Sequence, residues 1–138
     1  MKNIKQYYKE LGKLVYAVAA ADGAIQEEER EKLHQFVLKE LAYHESSADS
    51  SGMNQAFYVD FEFDDAEQKH LSGNEIIKSF SRFVHNNFEY NDVALINISL
   101  KLLETVALAY SKRNEKNIID NVRLEMKEIS KNIINITN

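Results

Sequence analysis

Apolar residues return every three or four positions along most of this chain, the spacing that lines one face of an α-helix. Ile4, Tyr8, Leu11, Val15 and Val18 form the first such stripe and predict a helix from about Asn3 to Ala21, stopped at Asp22-Gly23. The next stripe, Ile25, Leu33, Phe36, Val37 and Leu41, predicts a helix from about Gln26 to Tyr43. Glu27, Glu28 and Glu29 fall in its first turn, where the positive end of the helix dipole favours acids. Together the two predict a helical hairpin.

Farther along, the pattern changes. His44 to Gly52 is a polar loop, and Phe57 to Asp64 alternates apolar and acidic residues like a strand, yet no second run of that kind could pair with it. That segment is expected to be an irregular or helical connector. Ser72 and Glu75 have capping-box spacing and predict a helix through Ile76, Ile77, Phe80, Phe83 and Val84 to about Asn87. Asn91 to Tyr110 is apolar on two sides, with a narrow polar strip at Asn97, Lys101, Glu104 and Thr105, and is expected to be the central, most buried helix. A last helix, from about Glu115 to Asn135, carries Ile119, Val122, Met126, Ile129 and Ile133 on one stripe.

With no proline and four glycines in 138 residues, the punctuation of a β-hairpin protein is missing. The expected fold is an all-α, compact bundle of about five to seven helices, in a single domain covering residues 1–138. The net charge of −5 argues against nucleic-acid binding, which needs clustered Lys and Arg, and makes cations the better partners. No apolar run approaches the roughly 20 residues of a membrane span. The opening MKNIKQYYKE lacks a signal-peptide core, so a cytoplasmic location without membrane insertion is expected. The absence of cysteine removes thiolate metal sites and Cys nucleophiles.

The segment with chemical content is the first turn. Asp22 continues the inner stripe of the first helix, and Glu29 projects to the same side as Ile25, Leu33 and Phe36, so the two carboxylates are expected to meet at the mouth of the hairpin. Asp22-Gly23-Ala24-Ile25 through Glu29 has the spacing of positions 5 to 12 of a calcium-binding EF-hand loop. The first half of that loop is missing, because Val18 and Ala20 stand where carboxylates are needed. Two readings stay open: Asp22 caps the second helix while Glu29 meets its dipole, or the pair forms half of a site for a hard cation, calcium or magnesium.

Leu14-Val15-Tyr16-Ala17-Val18-Ala19-Ala20-Ala21-Asp22-Gly23-Ala24-Ile25, followed by Glu29 and an apolar helix, resembles the signature of the TerB-like (tellurite resistance) family. Leu103 to Tyr110, continuing through Asn114, looks like a divergent second copy, with Tyr110-Ser111-Lys112-Arg113 where the Asp-Gly pair would stand. The resemblance implies two divergent helical halves and a cation-binding surface to which Asp22 and Glu29 contribute. It also implies a non-enzymatic role in a stress response.

Two other readings arise from the residues. Glu31-x-x-His34 and Glu67-x-x-His70 have the spacing of di-iron carboxylate bundles, with Glu10 and Glu104 as nominees for the remaining ligands. Asp60, Glu62, Asp64, Asp65 and Glu67 make an acidic connector that suits an interaction scaffold with a protein partner and no metal. No sequence neighbours pair a base with a Ser or Thr nucleophile, so no enzymatic activity is expected.

Overall fold

The computed structural model describes residues 1–21, 24–45, 48, 50–109, 118–124 and 127–128. The protein is an all-helical bundle. In chain order the described α-helices are α1 (Ile4–Ala19), α2 (Glu27–Phe36), α3 (Ala42–His44), α4 (Tyr58–Lys69), α5 (Gly73–Asn87) and α6 (Val93–Ala109). A π turn, Val37–Leu41, joins α2 to α3, and single 3₁₀ turns, Gln55–Phe57 and Tyr90–Asp92, lead into α4 and α6. Residues 118–124 are helical and bury Ile119 and Val122. The rest of the expected last helix, apart from residues 127–128, lies outside the described residues. No helix among the described residues is long and apolar enough to cross a membrane.

The central element is α1, not the helix that begins near Asn91. Tyr7, Tyr8, Leu11, Leu14, Val15 and Val18 are completely buried, and α1 packs on α4, α5 and α6. Burial follows the number of neighbouring helices rather than a helix's own hydrophobicity. Val93 and Leu108 of the more apolar α6 remain 44% and 75% exposed, because no described helix covers that side. Small residues let α1 take neighbours on several sides: Gly12 lies against the Val59 carbonyl of α4, and Ala17 faces Gly73 of α5. One charged residue of α1, Glu10, is also buried; it accepts hydrogen bonds from Ser79 Oγ (2.9 Å) and Gln6 Nε2 (3.2 Å).

The strand-like segment is a helix. Val59, Phe63 and Ala66, spaced by four and three residues, are buried, so α4 places one face on α1, with Asp64 exposed and its other acids half-buried. It stops where His70 takes a left-handed backbone (φ 51°) and Leu71 N–H donates to the Ala66 carbonyl. Helix α5 begins after Ser72 as its capping-box spacing predicts, but the Ser72 hydroxyl makes no capping bond; its carbonyl accepts from Ile76 N–H at 3.0 Å.

The chain between α3 and α4 is organised by one side chain. Asn54 Nδ2 donates to the carbonyls of Ala42 (2.9 Å) and Glu45 (2.8 Å), and its Oδ1 accepts from Ala56 N–H (2.9 Å). Asn54→Ala leaves two carbonyls and one amide without this partner. It should destabilise the protein by about 1–2 kcal/mol in thermal or urea unfolding.

Candidate functional site

Helix α2 starts where Gln26, in extended conformation, gives way to three glutamates in the first turn. Glu27 and Glu28 are exposed, whereas Glu29 is turned inward beside Leu33 and Phe36 and is only 1% exposed. Oε1 of Glu29 accepts the Gln26 N–H at 2.9 Å, which satisfies one of the amides that a helix start leaves free. Oε2 is buried and has no hydrogen-bond partner among the described residues. Leaving a carboxylate oxygen in that state costs at least about 1–3 kcal/mol relative to one with a donor, or with a cation, beside it.

Asp22 and Gly23, the other half of the expected site, lie outside the described residues. Among the described residues, no three His, Asp or Glu side chains gather closely enough to hold a metal ion. The bond to the Gln26 amide therefore accounts for one Glu29 oxygen and, among the described residues, leaves the other over. A hard oxygen donor of this kind fits calcium or magnesium, which take carboxylate, carbonyl and water oxygens together.

The Glu-x-x-His residues serve other ends. Glu31 is exposed and bonded to Gln35 of its own helix, and His34 Nδ1 lies 3.3 Å from Asp60 Oδ2. Glu67 receives both terminal nitrogens of Arg30, with Nη1–Oε1 at 2.6 Å. His70 is exposed at the end of α4, Glu10 is bonded to Ser79, and Glu104 pairs with Arg123. These groups do not converge, because Glu31 and His34 stand on the side of α2 away from its apolar stripe. The di-iron geometry is not built.

Those long-range pairs disclose a feature that local sequence patterns do not. The bridges Arg30–Glu67 and His34–Asp60 span α2 and α4, and beside them lies an open groove of about 520 Å³. Leu33, Phe61 and Phe63 give it apolar surface, and Glu27, Glu31, Asp60 and Asp64 line it with acid. Loss of water around Asp60 raises its pKa, an effect that His34 opposes and Asp64 reinforces. Comparison of the chain with protein-family models, with curated proteins and with solved structures finds no match.

A second buried polar pair supports the core instead of a reaction. The single proton of Ser99 goes to the Leu95 carbonyl (2.7 Å), so Tyr7 is the donor in the 2.5 Å contact between Tyr7 Oη and Ser99 Oγ. Tyr8 donates to Glu45 Oε2 at 2.6 Å.

Proposed function

We propose that the chain is a TerB-like, non-enzymatic protein of a stress response, in which the turn from Asp22 to Glu29 takes a divalent cation weakly. The observation that carries this reading is Glu29 Oε2, a buried carboxylate oxygen at the start of a helix with no donor among the described residues. The sequence resemblance implies that Asp22 supplies the second acid. Oxygen donors with no thiolate in the chain favour calcium or magnesium over zinc. The preference is for weak binding, since half an EF-hand supplies fewer carboxylates than a full loop.

Titration calorimetry on chelator-stripped protein tests it. Calcium or magnesium should give a saturable heat signal with the native chain, and Asp22→Asn or Glu29→Gln should each weaken the binding by at least about ten-fold, equivalent to roughly 1.4 kcal/mol. Glu29→Gln retains an oxygen for the Gln26 amide, so the metal-free variant should melt at the native temperature or above it. No heat with calcium, magnesium, manganese or zinc ends the cation reading. Equal affinity in both variants would move the site elsewhere.

A further inference from the structure

Glu29 does not line the groove between α2 and α4, although Glu27 of the same first turn does. We propose that this groove docks a basic peptide segment of a partner protein, with one apolar side chain of the segment seated against Phe61 and Leu33.

Shape gives the first argument. The groove, about 520 Å³, is open to solvent, and Leu33 and Phe63 are 2% and 1% exposed, so they form its floor. Phe61 is 55% exposed and stands as a wall, held at its other side by edge-on contact with the Tyr58 ring at 6.1 Å. An aromatic ring that is half in water and fixed by its neighbour is a ready anchor surface, because covering it costs little side-chain entropy.

Charge gives the second argument and selects the occupant. Four carboxylates, Glu27, Glu31, Asp60 and Asp64, line the groove. Among the described lining residues, the Arg30 guanidinium is held by both oxygens of Glu67, which is not part of the lining, and lies 3.8 Å from Glu27, which is. His34 lies against Asp60. The acids at the rim are therefore left with more negative charge than the groove's own cations offset. A partner rich in Lys and Arg gains from that field, and acidic segments or nucleic-acid phosphates are repelled by it. A second copy of the chain, with its net charge of −5, is a poor electrostatic match.

The test uses the full chain and a fluorescein-labelled ten-residue peptide of alternating Lys and Leu, with an all-Lys peptide and an alternating Glu and Leu peptide as comparisons. Fluorescence anisotropy should show the Lys-Leu peptide binding at least about ten-fold tighter than either comparison, the difference expected of one well-seated apolar anchor. Phe61→Ser should weaken the Lys-Leu peptide about ten-fold, and Glu31→Lys should do the same while making binding less dependent on salt. Both side chains are exposed, and circular dichroism verifies that the variants fold. Amide shifts on peptide addition should concentrate on α2 and α4. The proposal is overturned if the all-Lys peptide binds as well as the Lys-Leu peptide, if neither variant changes the affinity, or if the shifts map to another face. Sedimentation showing that the chain fills the groove by self-association, so that the peptide is excluded, overturns it as well.

Discussion

Gly12→Ala should lower the unfolding free energy by about 2–3 kcal/mol and the melting temperature by roughly 10 °C. A Cβ built on Gly12 comes within 2.5 Å of the Val59 carbonyl oxygen and 3.2 Å of its carbon, with Glu62 Cβ at 3.0 Å. Val59 lies in the first turn of α4, so its carbonyl cannot swing aside as a flexible side chain would. The remaining response is for α1 and α4 to part, which opens gaps around Leu11, Val15, Val59 and Phe63, all essentially buried. Elsewhere in a helix, glycine to alanine gains about 1 kcal/mol of propensity, and the net loss here is what remains after that gain. Gly73→Ala provides the control, because its new Cβ meets Ala17 at an ordinary 3.9 Å and should be neutral or slightly stabilising. A Gly12→Ala protein that melts at or above the native temperature would show that the two helices are not in this close approach.

Alkali should unfold the protein cooperatively, through two tyrosines. Burial pushes both phenols well above their ordinary value of 10.0; for Tyr8 the Glu45 carboxylate adds to the shift, and for Tyr7 the Ser99 hydrogen bond opposes it. In the folded chain both therefore keep their protons at pH values where an unfolded chain gives them up. Stability from this source is fully present below about pH 10 and is lost as the pH rises through the folded values. Two withheld ionisations remove about 2.7 kcal/mol per pH unit. By pH 12 the loss of about 5 kcal/mol matches the whole stability of many domains. Tyrosinate absorbance followed beside circular dichroism should show two of the seven tyrosines ionising in step with the loss of helix. Smooth ionisation of all seven with the helix signal intact would contradict the buried placement. Tyr8→Phe should roughly halve the pH slope.

The sequence disclosed the helices more fully than their neighbours. Three- and four-residue spacing located α1, α2, α5 and α6, and the 100° advance per residue turned Glu29 to the inner side of its helix, where it is buried. Over Phe57 to Asp64 the same letters fit a period of two and a period of 3.6, and only a partner surface on α1 decides for the helix that carries Val59 and Phe63. Gly12 reads as mere flexibility until α4 is known to lie across it. The Arg30–Glu67 bridge joins residues 37 apart, and Tyr7 meets Ser99 across 92; no local pattern states such a pairing. The groove was hidden for that reason, since half of its acids sit on each helix. Glu31 and His34 offered metal-like spacing, yet spacing does not say which way a helix is turned in the bundle.

Because α1 rests on α4, α5 and α6, it must wait during synthesis for the last of these neighbours. At about 5–20 residues per second, the 92 residues between Tyr7 and Ser99 take roughly 5–20 seconds to synthesise. Throughout that interval its tyrosines and leucines have no lasting shelter, which slows its maturation relative to bundles closed by adjacent hairpins.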